Sequence, residues 1–393
     1  SDDVSNLAGP ATSVHDASGH TVLPGFIESH VHLFQGGAEL DALNLMEIKN
    51  AEALKDAVRA FAADRPDDKL VYGVCCDYGI LGGEQQTARQ ALDDIMPDRP
   101  FAMMAHDHHT AWANTKALEM AGILQGADVG EGAEIVMGAN GLAAGELRET
   151  GAFGPVLTHT PTGGRESLGY VTGEDPVPPA TPHEREADKA ILSKGLEHCA
   201  RQGITSLHNM DGNFYQLELL HALNEEGRLL CRTQVPFHLK PHHGLDRLEE
   251  AEEMRSRFNS EMLWSGRVKM FMDGVIESYT GFMLRGYPDD PDNTGAALFS
   301  EAHFAEAAIL SDAKGLQISV HAIGDAAVRR TLNGYEAART ANGARDSRHR
   351  IEHVEVLHSD DLPRFAQLGV IASMQPLHSP RSGFFPAQPQ GKI

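Results

Sequence analysis

The chain has 393 residues, 41% hydrophobic and 23% charged, with a mean hydropathy of -0.31; this globular balance excludes collagen-like, disordered and membrane-spanning classes. Lys and Arg number 33 against 56 Asp and Glu, a formal charge of -23. Nucleic acid is excluded as a partner, because its phosphates would be repelled over most of this surface.

An acidic, lysine-poor surface also suits a high-salt cytoplasm. Cys75, Cys76, Cys199 and Cys231 show no CxxC spacing and read as buried thiols of a reducing compartment. The first residues, SDDVSNLAGP, lack the basic and apolar regions of a signal peptide, so the expected location is cytoplasmic. At roughly 150 residues per domain, the length predicts two to three domains, or one large barrel with an insertion.

In chain order, residues 1–25 read as part of a small β domain, feeding a first barrel strand and its loop over 26–45 (TVLPGFIESHVHLF). Residues 46–190 read as a folded insertion. It has strand candidates in LVYGVCC and RPFAMMAH, a helix in TAWANTKALEMAG, and a Pro-rich stretch, DPVPPATPHE, near its end. From 191 onward the short apolar runs GITSLHNM, CRTQVPFHL, RVKMFMDG, LQISVHAI, RHRIEHVEV and VIASMQP alternate with amphipathic stretches such as FYQLELLHALNEEG and EAHFAEAAILSDAKG. Strand and helix in alternation predict an α/β fold with a parallel sheet. With the first strand these runs supply seven strands, and a (β/α)8 TIM barrel needs eight. The expectation is such a barrel, with strands 2–7 over 191–393.

Histidine is over-represented, at 21 residues. At this frequency about one His-x-His arises by chance, and two occur, His30/His32 and His106/His108, so context has to decide. His30 and His32 share one face at the carboxyl end of an apolar strand, where barrel active sites lie, and two imidazoles there make half of a metal site. Lys269 lies inside the apolar run RVKMFMDG on the same face as Phe271 and Asp273. A buried ammonium is costly, so such a lysine either is neutralised, and then able to take up carbon dioxide as a carbamate, or reaches solvent at the strand end or pairs with Asp273. His321 ends QISVH, and His353 ends RHRIEH with His349 and Ile351 on its face. Taken singly, each reads as a buried histidine bonded to backbone. Jointly, His-x-His, Lys, His and His at successive strand ends point to a metal centre. His208 at the end of GITSLH, His109 in HHTAWAN and Asp273 are candidates to line a substrate pocket, with local caps and loop bonds as the competing roles. Arg350 and Glu352 read as a structural ion pair.

VLPGFIESHVHL, VKMFMDG, VHAIGDAAV, RHRIEHVEV and ASMQPLH resemble, in order, the signature segments of the metal-dependent amidohydrolase superfamily. RPFAMMAHDHHTAWANTKALEMAGI and GELRETGA are similar to the insertion of its amidohydrolase-3 branch, the YtcJ-like and N-substituted formamide deformylase-like proteins. The resemblance implies a TIM barrel with a small flanking β domain and one or two divalent ions per chain, commonly zinc. His30 and His32 would hold the inner ion, His321 and His353 the outer one, and Lys269 as a carbamate would bridge them. It further implies a hydrolase that cleaves a C–N bond of an amide, formamide or related small molecule through a hydroxide held by the metal. The alternatives are a mononuclear deaminase of the same superfamily and a catalytically silent metal-binding homologue. No catalytic base is assignable, because the aspartate of an eighth strand is expected beyond Ile393, as if the chain were truncated. A small-molecule substrate, no membrane partner and, by base rate, a homodimer complete the expectation.

Overall fold

A computed structural model of the chain describes residues 6–81, 86–130, 133–276 and 278–378. Seven parallel segments follow one another in chain order. They are β1 (Phe26–Val31), β8 (Ile204–Asn209), β9 with β10 (Arg232–Gln234, Phe237–His238), β11 with β12 (Leu263–Trp264, Arg267–Phe271), β13 (Gln317–Ala322), β14 (Arg350–His353) and β15 (Ile371–Ser373). Two of the segments are broken for local reasons. Pro236 has no N–H to donate between β9 and β10, and Gly266 separates β11 from β12 with a φ of 132°, a conformation L side chains rarely adopt. The runs CRTQVPFHL and RVKMFMDG therefore each carry part of a strand, and Val235 N–H to Trp264 O at 3.0 Å keeps the two segments in register across the breaks.

Helices Pro182–Arg201, Phe214–Glu225, Leu248–Arg257, Glu301–Ala313, Asp325–Asn342 and Leu362–Leu368 alternate with these strands. The outward residues of the strands, such as Leu207, Val268, Met270, Ile318, Val320 and Ile351, merge with the helices' apolar faces into the largest core cluster. The architecture is thus a parallel α/β layer in the succession expected of a barrel. Among the described residues, β1 and β15 have one strand neighbour each, and residues 379–393, with the expected region beyond them, lie outside the described part.

A second sheet, in the order β2-β3-β4-β5-β7-β6, is built from β2 (Leu43–Asn44), β3 (Val71–Cys76), β4 (Phe101–Ala105), β5 (Thr110–Ala113), β6 (Glu134–Met137) and β7 (Ala143–Arg148). Its first strand falls inside 26–45, the range read as first barrel strand and loop. At the other end, helix Pro182–Arg201, read as insertion, packs on helix Leu33–Glu39 and on β8 beside the parallel strands. TAWA is strand β5, not the start of a helix. The helix begins only at Thr115, because the Asn114 side chain caps it by accepting from the Ala117 N–H at 2.9 Å. Residues 6–25, read as part of a β domain, form turns and no strand and are exposed. Among the described residues no helix is long and apolar enough to cross a membrane.

Candidate metal centre

His30 points inward from β1, and His32, just past the strand at the N-cap of helix Leu33–Glu39, stands beside it with ring centroids 5.5 Å apart. His30 lies 4.8 Å from His353, and His353 lies 4.5 Å from His321. Four histidines from β1, β13 and β14 therefore meet at the carboxyl ends of the strands. His353 arrives there by an irregular route. Alternation along β14 puts Arg350 and Glu352 inside and His349 and Ile351 outside, so a regular strand would send His353 outward with Ile351. A φ of 75° at His353, followed by 53° at Val354, turns the imidazole inward. A left-handed non-glycine residue is a strained conformation that clusters at functional sites. His349, expected on the His353 face, is instead buried outside, accepting from the Ile318 N–H at Nδ1 (3.1 Å) and donating to Asp312 from Nε2 (3.1 Å).

Each inner imidazole has one nitrogen committed. His30 Nδ1 donates to Glu352 at 3.0 Å, His32 Nδ1 to Asp211 at 2.5 Å and His353 Nδ1 to the Gln375 side-chain oxygen at 2.8 Å, while His321 Nε2 donates to the Gly274 carbonyl at 2.9 Å. Those bonds fix the tautomers, leaving the other nitrogen of each ring with a free lone pair. Burial keeps the His30, His321 and His353 rings neutral, pushing the His30 pKa down to about 3 and those of His321 and His353 well below the ordinary value. Neutral imidazoles with an oriented lone pair are what a divalent transition metal requires.

Lys269 lies beneath this cluster, 1% exposed, with no hydrogen-bond partner for Nζ and the Phe271 ring 4.6 Å away. Burial brings its pKa down to about 8, so about a tenth of the amine is neutral at pH 7. The second oxygen of the buried Asp211 is also unpartnered. An orphaned amine and an orphaned carboxylate oxygen beside four free imidazole lone pairs constitute a donor set that fits divalent ions, and fits a carbamate on Lys269.

Glu352 is the electrostatic hub. It accepts from Arg350 at 2.8 Å through both oxygens, from His30 and from the Ser319 hydroxyl. Burial works to raise its pKa, but the His30 hydrogen bond and the charges of Lys269 and Arg350 hold it well below the usual carboxylate range. Arg350 also donates to the Ser29 carbonyl on β1 at 2.8 Å and to Ser373 on β15 at 2.6 Å, linking the two outermost parallel strands across the interior.

The substrate-side candidates separate. His109 reaches from the second sheet close enough for its charge to depress the His321 pKa, and its Nδ1 pairs with Glu149 at 3.0 Å. His208 is not brought into the cluster, because its Nδ1 accepts from Arg267 at 2.5 Å and from Arg350 at 3.1 Å deeper in the interior. Asp273 approaches His321 Nε2 at 3.8 Å but is held mainly by backbone. Its carboxylate accepts backbone N–H groups from Phe282, Ile323 and Gly324 at 2.9, 3.0 and 2.8 Å, tying the loops after β12 and β13 together. It does not pair with Lys269. His108 and Glu39 approach at 3.5 Å.

Sequence reading missed Asp211, Gln375 and the pair Glu355–His378, whose donor atoms lie within 4.8 Å of those of His353. Only His378 carried a signal, as the histidine of ASMQPLH; Asp211 and Gln375 sit in loops without periodicity. Glu352 was read as structural, and its bond to His30 gives it a second task.

A parallel α/β layer that gathers neutral histidines around a buried lysine at its strand ends defines a fold built to present metal ligands. The chain belongs to the amidohydrolase family, whose sequence profile matches residues 13–390. It is 28% identical over 391 residues to Protein LONG AFTER FAR-RED 3 of Arabidopsis thaliana, covering 94% of this chain and 61% of that protein. The putative amidohydrolase YtcJ of Bacillus subtilis (strain 168) is 26% identical (93% and 64% covered), and the N-substituted formamide deformylase of Arthrobacter pascens 24% (94% and 65%). Among solved structures, an uncharacterized metal-dependent hydrolase from Pyrococcus horikoshii superposes with a TM-score of 0.63 at 25% identity, over 90% of this chain and 62% of that one. The chain thus spans less than two thirds of the length of these relatives.

Proposed function

We propose that this chain carries the metal site of a metal-dependent hydrolase that cleaves a C–N bond of an amide, formamide or related small molecule. In this reading His30, His32, His321 and His353 would hold divalent metal, with zinc as the favoured ion, and Lys269, as a carbamate, would add oxygen ligands. The observation that carries it is the joint geometry of four imidazoles, each with one nitrogen anchored by a hydrogen bond, around a buried amine with no partner. The relatives named a deformylase and a metal-dependent hydrolase support the same reaction class.

When bound, divalent ions supply Lewis acidity for the scissile carbonyl and a water acidic enough to attack near neutral pH. The chain's own residues prepare that chemistry. Glu352 and Asp211 hold His30 and His32 in the ligating tautomer, and Gly274 and Gln375 do the same for His321 and His353. The neutral Lys269 amine adds to carbon dioxide, forming an N–C bond and releasing one proton, and the resulting carboxylate replaces an unpartnered nitrogen with two oxygen ligands.

Metal content per chain, measured by elemental mass spectrometry after purification without chelator, tests the reading. About two equivalents are expected, and a carbamate carbonyl resonance should appear after incubation with carbon-13 bicarbonate. Lys269→Met should lose most metal and the resonance. Wild-type metal content in that variant sinks the carbamate, and a single equivalent in the wild type moves the reading to a mononuclear deaminase.

A further inference from the structure

Beside the histidine cluster a cavity of about 90 Å³ lies between helix Leu33–Glu39, the second sheet and helix Arg165–Val171. Its walls are largely apolar, with Phe61, Leu70, Met104 and Phe153 among them. It adjoins the candidate metal centre through Tyr170, which lines the cavity and whose ring lies 5.4 Å from that of His32.

The polar groups of the cavity are of one sign. Glu39, Asp41, Asp68 and Glu166 line it, and among the described lining residues there is no lysine or arginine. Three of the four lack a claim to be a ligand site. Glu39 accepts from Gln35 and faces His108, Asp41 pairs with Lys194, and Asp68 has nothing that points to a ligand. Glu166 differs: it is 7% exposed, and its Oε2 has no hydrogen-bond partner. Its neighbour Arg165 makes no hydrogen bond to it, because that guanidinium is turned onto Asp188 through bonds of 2.7 and 2.9 Å, and burial pushes the Glu166 pKa up against the opposing effects of the Thr162 hydroxyl and the Arg165 charge. Both Tyr72 and Tyr170, on the cavity wall, feel the charges of Glu39 and Glu166.

A buried carboxylate oxygen without a donor costs free energy unless a ligand supplies one. In an apolar, aromatic-walled cavity the donor that recovers most is an alkylammonium, whose charge pairs with the carboxylate while its methylenes cover the walls. Size narrows the choice. A cavity of ~150 Å³ accepts benzene, so this smaller one suits a short alkyl chain better than a ring.

We propose that this cavity is a substrate subsite for a short alkylammonium arm, with Glu166 as the residue that recognises the ammonium group. Resting on the hydrolase reading above, the proposal specifies its substrate: an N-acyl or N-formyl derivative of a small aliphatic diamine. Its acylated nitrogen lies toward His32, and its free ammonium end lies on Glu166.

Calorimetric titration of the purified protein with n-butylammonium and with its neutral counterpart 1-butanol tests the subsite without turnover. The wild type should bind the ammonium at least roughly tenfold more tightly than the alcohol. Glu166→Gln, nearly isosteric, should abolish that preference while leaving the thermal midpoint within a few degrees. Phe153→Trp, which fills the cavity, should weaken both ligands. No detectable ammonium binding, an equal affinity for the two probes, or an undiminished preference in Glu166→Gln overturns the proposal. Kinetics on metal-loaded protein separate the two readings. If mono-N-formyl-1,4-diaminobutane is hydrolysed with higher kcat/KM than N-butylformamide, both stand. If both are hydrolysed equally, the subsite falls alone. If neither is hydrolysed while the calorimetric preference holds, the hydrolase reading falls alone.

Discussion

The interior of the parallel sheet and the interior of the second sheet are both buried, yet they are made of opposite materials. Beneath the four histidines of the candidate metal centre lie Arg267, Lys269, Arg350 and Glu352, whereas the second sheet is filled by residues such as Val74, Met104, Ala111, Ile135 and Leu147. Burying a charge costs several kcal/mol unless it is paired and hydrogen-bonded. The second sheet avoids that cost. The parallel sheet accepts it, and the charges it keeps are arranged about one anion, Glu352, which faces two guanidinium groups and an amine. Where a core is charged and partly unsatisfied, as at Lys269 Nζ and Arg267 Nη1, stability has been traded for a site.

Glu352→Ala should show the largest effect. It strips the buried counter-ion from Arg350 and frees His30 Nδ1, so a loss of roughly 3–5 kcal/mol is expected together with loss of metal. Chemical denaturation and metal content read the two consequences. Leu147→Ala in the second sheet should cost a similar or slightly smaller amount, about 2–5 kcal/mol, through a cavity alone. Its metal content should remain at the wild-type value. If Leu147→Ala also empties the metal site, the two interiors are coupled and the contrast between them fails.

The same contrast explains what was legible in the sequence. Outward-facing residues and helices follow periodic rules, so seven parallel segments and the helices between them could be read from apolar runs. His30, His32, Lys269 and His321 were legible because each sits on or at the end of a regular strand. His353 was found by its place in the chain, but not its direction, which depends on a positive φ that alternation cannot forecast. For Asp273, expected beside a substrate, nothing in the sequence signalled the three backbone N–H groups from Phe282, Ile323 and Gly324 that bond its carboxylate. For His208, expected beside a substrate, the sequence could not show that Arg267 and Arg350, remote in the chain, converge on its Nδ1. The start of β5 was missed because Thr-Ala-Trp-Ala is short and neutral in propensity, and only its antiparallel partners β4 and β7 decide its state.

The two faces of β14 sharpen the comparison further, since each buries a histidine for a different purpose. His353 inside keeps a free nitrogen, while His349 outside has both nitrogens engaged, with Ile318 and Asp312. Burial depresses the His349 pKa to about 4 from an ordinary 6.5, an effect that the charge of Asp312 only partly opposes. The unfolded chain therefore takes a proton on this residue below pH 6.5, and the folded chain does not until about pH 4. Stability from this residue is complete above pH 6.5 and is lost as the pH falls toward 4, in total by roughly 3 kcal/mol. The inner histidines contribute a decline of the same sign, so the variant isolates the outer one. In His349→Gln the side-chain amide can still accept from Ile318 and donate to Asp312 but does not titrate. Its unfolding free energy from urea titrations at pH 4 to 6.5 should decline less steeply than the wild type's by that amount. Parallel pH profiles would mean that His349 is protonated in the fold and paired with Asp312, and the outer face of β14 would then be as charged as the inner one.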